Sequence, residues 1–358
     1  MFFLTLLHNW LSRLSGNWGA RLGYLVVSIL FAAAFCGFQC VEAASEGAVE
    51  RFVFEKAEMG VPFRVTVYAR SRVDAERAAK AAFARVEALN SVFSDYDSDS
   101  ELSRLSDSSG NGQRIPVGAD LWKVLERALY FSKQSEGAFD LTIGPVVNLW
   151  RTARRKRELP NPEKLRDALE RTGFGAIQLH PDSRSVELLK PRMRLDAGGI
   201  AKGYAIQEAL AVLFDSGHKV CMVEGGGDLA LGDAPPGAKG WKVSVTQLDH
   251  QSAPQPQVLE LKNCALSTSG DLYQRLEIDG VRYSHIVDPR TGVGLVDHSL
   301  VSVLGPNAVD TDALSKVISV LGPERGIRIA EQMEGVSVYV IRAPGGFLEE
   351  WRSANWGR

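Results

Sequence analysis

One stretch constrains this chain more than any other: Met193-Arg194-Leu195-Asp196-Ala197-Gly198-Gly199-Ile200-Ala201-Lys202-Gly203-Tyr204. Its first residues alternate apolar and polar, as a short strand does, and the pattern breaks at Gly198-Gly199. From Ile200 to Ser216 apolar residues recur at helical spacing (Ile200, Ala205, Ile206, Leu210, Leu213). A strand that turns through two glycines into a helix leaves backbone N–H groups free at the helix start, where an anion such as phosphate is at home. Asp196 precedes the turn and Lys202 sits in the first helical turn, so a carboxylate and an ammonium flank one mouth. Two readings stay open on this pattern. One is an anion site; the other is a strand–helix corner with an ordinary surface ion pair.

The surrounding chain mixes both kinds of element. Strands are predicted at 51–55, 62–69, 177–179, 186–188, 220–223, 241–245, 258–261, 285–287, 301–304 and 336–341. Helices are predicted at 73–89, 121–134, 161–171, 311–321 and 324–332. Short turns such as Pro181-Asp182-Ser183 and Asp279-Gly280 join many of the strands, so largely antiparallel sheets with packed helices fit better than a regular βαβ winding. The expected class is α+β.

With 358 residues, 23% of them charged and a net charge of −2, the chain has no positive field to draw nucleic acid. Its N-terminus is different in character. Arg13 and Arg21 precede an uncharged apolar run from Leu22 to Phe38, and Val41-Glu42-Ala43 fits a small-x-Ala cleavage pattern. The run is long for a signal core and short for a span. Residues 1–44 are therefore expected to be a signal peptide or an N-terminal membrane anchor, and 45–358 the working domain, exported to the periplasm or the outer face of the inner membrane. Neither Cys36 nor Cys40 follows the small residue that lipid attachment requires. Cys221 and Cys264 lie in apolar, strand-like contexts, read as buried small hydrophobes with a 221–264 bridge as the alternative.

Three near-matches to familiar motifs fail on chemistry. Asp95-Tyr96-Asp97-Ser98-Asp99 begins like a calcium loop but has Ser100 where glycine and Ser106 where glutamate must stand. Gly225-Gly226-Gly227-Asp228-Leu229-Ala230 has dinucleotide-type glycines, yet Ala234-Pro235-Pro236 follows where a helix is needed. Gly232 to Lys239 has Ala238 at the lysine position of a phosphate loop. The basic cluster from Arg151 to Arg157 reads as a solvated helix end, with phosphate or an anionic membrane surface as the alternative.

The remaining unusual blocks occur together and in order. Asp196-Ala197-Gly198-Gly199-Ile200-Ala201-Lys202-Gly203-Tyr204 resembles the signature of the ApbE-type FAD:protein FMN transferases. The likeness takes in Met59-Gly60, Phe93-Ser94-Asp95-Tyr96, Gly137-Ala138-Phe139-Asp140 and Gly144-Pro145 through Trp150. It continues through Glu224 to Asp228, Leu266 to Gly270, His285 to Gly292 and Thr311-Asp312-Ala313-Leu314-Ser315. The resemblance implies an exported enzyme that takes FAD as substrate with Mg²⁺ and passes FMN to a Thr or Ser hydroxyl of an acceptor protein, releasing AMP. Subunits of electron-transport complexes are the implied acceptors. By the same resemblance Met59, Tyr96, Ala138, Phe139, Asp140, Asp196, Lys202 and Val287 contact the flavin nucleotide, while the Gly199 carbonyl and Asp312 hold the metal.

That chemistry asks for positioning and charge neutralisation at phosphates, with no protein nucleophile. Hard oxygen donors suit Mg²⁺, although Asp312 taken alone reads as a capping carboxylate at the start of its helix. His285 is the candidate general base, with Asp288 beside it; the alternative is a strand histidine followed by a plain turn. One position departs from the family. Where many members carry a metal-binding threonine, this chain has Lys316, and Ser315 is the expected substitute ligand. Two further classes therefore stay open: a metal-dependent FAD pyrophosphatase giving FMN and AMP, and a non-catalytic FAD-binding protein.

Overall fold

The computed structural model describes residues 48–245, 248–249, 253–270 and 275–357. The expected leader and its boundary at 44/45 lie outside them. Eight strands run side by side in chain order: β1 (Glu50–Glu58), β2 (Val61–Ala69), β3 (Cys221–Gly225), β4 (Asp228–Leu231), β5 (Cys264–Gly270), β6 (Ser299–Gly305), β7 (Ser337–Arg342) and β8 (Glu349–Arg352). Every neighbouring pair is antiparallel. The class is α+β, as the short turns required.

Helices pack against this sheet and against one another. They are α1 (Arg72–Phe93), α2 (Glu101–Asp107), α3 (Ala119–Gln134), α4 (Gly144–Lys156), α5 (Pro162–Glu170), α6 (Ala201–Asp215), α7 (Ala308–Leu321) and α8 (Pro323–Ala330). In α1 the buried residues Ala75, Ala78, Ala79, Ala82, Val86 and Leu89 recur at helical spacing, and the Ser71 hydroxyl accepts the Asp74 N–H at its start. Small residues on that stripe let α6 pack closely against α1, and α6 packs on its other side against α7.

Three expectations change, and one exclusion holds. The strand expected before Gly198 shrinks to a single bridge between Arg194 and Ile143. The strand expected at 285–287 is a bend plus one bridge from Val287 to Gly294, following the hairpin Arg275–Ile278 and Val281–Ser284. Helix α7 begins at Ala308, because the Asn307 side chain accepts the Asp310 N–H at 2.9 Å and caps it there. Asp312 is therefore inside the helix and is not a cap. Lastly, Gly225-Gly226-Gly227 forms the tight β3–β4 turn, with φ of +61° at Gly226 and +95° at Gly227, values suited to glycine.

Cys221 and Cys264, the two cysteines among the described residues, are free thiols. Strand β4 lies between β3, which carries Cys221, and β5, which carries Cys264. Two strand spacings amount to about 10 Å, beyond the ~7 Å reach of a disulfide. Burial pushes the Cys221 thiol up to about 12 and that of Cys264 to about 11.

Candidate active site

Beside the helical layer the sheet leaves a cavity of about 610 Å³. Its walls come from the β1–β2 turn, the segment after α1, residues 138–140, one face of α4, the 196–202 corner, the loop after residue 284 and α7. Met59, Tyr96, Ala138, Phe139, Asp140, Asp196, Gly199, Lys202, His285 and Val287 all line it. Residues far apart in the chain thus share one wall. Asp288, Asp312 and Ser315 do not line it.

Asp196 and Lys202 are not each other's partners. Asp196 accepts the Gly198 N–H at 2.8 Å through one oxygen and the Arg151 guanidinium at 3.0 Å through the other. Burial pushes its carboxyl up, nearby Asp95 adds to this, and Arg151 with the Gly198 N–H opposes it. Arg151 also pairs with Asp95 and lies 4.4 Å from the Tyr96 ring centre. Tyr96 is 80% exposed, so its outer ring face is open for stacking.

Lys202 faces the other way. Its ammonium is 2.5 Å from Asp228 and 3.9 Å from Asp312. Burial alone would lower its pKa, but the charges of Asp228 and Asp312 and the hydrogen bond to Asp228 more than reverse this, so the lysine is held charged above its ordinary value. The second oxygen of Asp228 is buried with no hydrogen-bond partner among the described residues.

Asp312 is fully buried and accepts the Gly203 N–H at 2.8 Å. The glycine at 203 is what permits this. A Cβ there would lie 2.1 Å from the Ala308 carbonyl oxygen and 2.6 Å from the Asp312 Cβ, so α6 and α7 touch backbone to backbone. The other Asp312 oxygen is held by Lys316, one turn further along α7. Lys316 lines the cavity, and its Cγ stands 3.7 Å from where a Cβ of Gly199 would be.

Two expected partners fall elsewhere. The carboxylate of Asp288 takes the Arg290 backbone N–H and its guanidinium at 2.8–2.9 Å, so Asp288 builds the turn and does not support His285. The Ser315 hydroxyl meets Ser269 of β5 and donates to the Asp312 carbonyl, both at 2.7 Å, so it does not replace a threonine at position 316. Asp140 lines the cavity but spends its oxygens on Thr142 and on the Phe174 N–H, fixing the loop that carries Phe139.

Arg151 and Arg154 favour the alternative reading of their basic cluster by lining the cavity, and Asp228 joins the site through Lys202 with no local signal in the sequence. Val147, Arg151 and Arg154 all line the cavity from α4, an i, i+4, i+7 face that was present in the sequence. Burial and the neighbouring Arg151 charge both pull the Arg154 pKa down, a cost that an incoming anion relieves.

A model of the ApbE family matches residues 59–340. The chain belongs to the ApbE family. A relative from Haemophilus influenzae named FAD:protein FMN transferase is 32% identical and covers 74% of this ApbE chain and 79% of its own. One of the same name from Treponema pallidum is 30% identical over 93% of this chain and 95% of its own. Among solved structures the flavin transferase ApbE from Vibrio cholerae superposes with a TM-score of 0.77 at 27% identity, covering 86% of this chain and 98% of that one.

The Mg²⁺ implied by the resemblance meets donors that do not fit it here. Hard-cation sites need several free oxygens. Asp312 has one oxygen on the Lys316 ammonium and the other on the Gly203 N–H, and Ser315 faces β5. Among the described residues no cluster of three or more His, Cys, Asp or Glu is placed to hold a metal.

Proposed function

We propose that this ApbE-family protein transfers FMN from FAD to a Thr or Ser hydroxyl of an acceptor protein. The observation that carries the reading is the shared wall: Arg151, Arg154, Lys202 and Lys316 border one cavity together with the open ring of Tyr96 and with His285. Cations serve a pyrophosphate, a ring face serves the flavin or the adenine, and an imidazole serves a hydroxyl proton. The curated relatives named FAD:protein FMN transferase support the same activity.

In this reaction the acceptor oxygen attacks the FMN-side phosphorus of FAD. The P–O bond to the adenylate half breaks, AMP leaves with that bridging oxygen, and the hydroxyl proton passes to His285. The product is a phosphoester between FMN and the acceptor. No covalent enzyme intermediate is needed, so the protein's part is to align the hydroxyl and neutralise charge. Met59, Ala138, Phe139 and Val287 supply apolar wall, and Asp196 orients Arg151 through their 3.0 Å contact.

Export belongs to the same reading. It rests on the apolar run from Leu22 to Phe38, which supports transfer in the periplasm or at the outer face of the inner membrane, while electron-transport subunits as acceptors rest on the family resemblance. No helix among the described residues is long and apolar enough to cross a membrane, so attachment in this reading falls to that run.

The test is incubation with FAD, Mg²⁺ and a Thr-containing acceptor, read by flavin fluorescence in denaturing gels and by mass. The expected result is covalent FMN on the acceptor with AMP released in equal amount. Free FMN and AMP with an unlabelled acceptor would make the protein a pyrophosphatase instead, and unchanged FAD a flavin-binding protein. Arg151→Met should raise the FAD dissociation constant roughly tenfold or more, as expected for losing one charge-assisted contact. Fluorescence titration checks this, and an unchanged constant would remove Arg151 from the FAD site.

A further inference from the structure

We infer that Lys316 supplies, from within the chain, the positive charge that a divalent cation would otherwise bring to the pyrophosphate, so that FMN transfer here needs no added divalent ion. The inference rests on the proposed FMN transfer and asks what neutralises the phosphates during it.

The first support is position. Lys316 fills the corner between Gly199 and Asp312: its stem passes Gly199 and its ammonium sits on Asp312 Oδ1. Those are the two residues that the family resemblance assigns to the metal. A metal on Asp312 would have to evict the lysine first. The side chain is 16% exposed and borders the cavity, so the charge is held at the wall and is not lost to solvent.

Charge count points the same way. Behind the wall lie two carboxylates, Asp228 and Asp312, and two ammonium groups, Lys202 and Lys316, in contact. The group is neutral as it stands. Before FAD brings its own negative charge, adding a divalent ion would leave two excess positive charges beside an ammonium, in a region with little solvent to screen them. With threonine at 316 the same group would carry one net negative charge and would attract a cation.

The lysine is also competent for the work. An ammonium is a compact point charge with three donors on a flexible four-carbon stem. One N–H can stay on Asp312 while the others turn to phosphate oxygens. Lys202 is shared between two carboxylates, Asp228 at 2.5 Å and Asp312 at 3.9 Å. Lys316 bonds Asp312, which serves as its tether.

The experiment measures FMN transfer by the mature protein in EDTA and across a Mg²⁺ titration, for wild type, Lys316→Thr, Lys316→Arg and Lys316→Met. Melting curves confirm that each variant is folded. The expected result is wild-type transfer in EDTA within about twofold of that in Mg²⁺, with Lys316→Arg retaining most of it. Lys316→Met should lose roughly 100-fold or more at every Mg²⁺ concentration, the scale for removing one preorganised electrostatic group. Lys316→Thr should be equally poor in EDTA and recover in millimolar Mg²⁺. A second readout needs no turnover: Mn²⁺ binding followed by electron paramagnetic resonance with FAD present. Lys316→Thr should bind Mn²⁺ at least tenfold tighter than wild type. Wild-type transfer that stops in EDTA and returns with Mg²⁺ overturns the inference. If no form transfers FMN, the proposed function fails, and Mn²⁺ binding still decides about Lys316: equal affinities in wild type and Lys316→Thr overturn it.

Discussion

Lys202→Met should destabilise the protein by roughly 3–5 kcal/mol, the range for removing one partner of a buried ion pair. The methionine keeps much of the stem volume but leaves Asp228 and Asp312 facing each other, both buried, with Lys316 as the remaining cation in the group. The full loss should be seen at neutral pH. The folded-state value of Lys202 is raised, so its contribution is complete below the ordinary lysine range and disappears only as pH rises through the raised value. Urea unfolding at pH 7 and at pH 10 checks this, and a midpoint like that of wild type would mean the carboxylates find other relief. FAD binding should fall along with stability, because Lys202 lines the same cavity.

His285→Ala should lower FMN transfer by roughly 10² to 10⁴-fold, the usual contribution of a positioned base, with FAD affinity changed little. His285 stands on the bend just after the hairpin that ends at Ser284, half-buried at the cavity wall. A proton acceptor on such a bend can meet a hydroxyl arriving from outside. Transfer and FAD affinity falling together by the same factor would make His285 a binding residue.

The fold class and the cavity's membership were legible in the sequence, and the pairing of its charges was not. Turns such as Asp279-Gly280 announce antiparallel pairing locally, and the glycine corner at 198–199 announces an anion mouth. Lys202, however, meets Asp228 and Asp312 only because β4 and α7 bring them in from 26 and 110 positions away. No local spacing records such a contact. Asp312 is a metal ligand by resemblance and reads as a capping carboxylate only when taken alone. Asn307, three residues before Asp310, carries the capping pattern and starts the helix earlier, so Asp312 lies inside it. Arg151 and Arg154 are hidden by company. Among five basic side chains in a run of seven, the two facing the cavity look like the rest. Asp288 was drawn to His285 by closeness in sequence, while its own Arg290 was closer in the turn.

The backbone contact at Gly203 has a consequence for how variation would sort in this protein. A side chain there meets the Ala308 carbonyl and the Asp312 Cβ head-on, so it must push α7 from α6 and carry Asp312 and Lys316 away together. In a library randomised at both 203 and 316, the two positions should answer to different pressures. Survivors at 203 should be glycine whatever the growth medium, since the loss there is architectural. Survivors at 316 should shift with the supply of divalent ions, with small hydroxyl side chains favoured in magnesium-rich medium and lysine or arginine where magnesium is scarce. The site would then change its dependence on the medium through one exposed-edge codon, while the helix contact beneath it stays fixed.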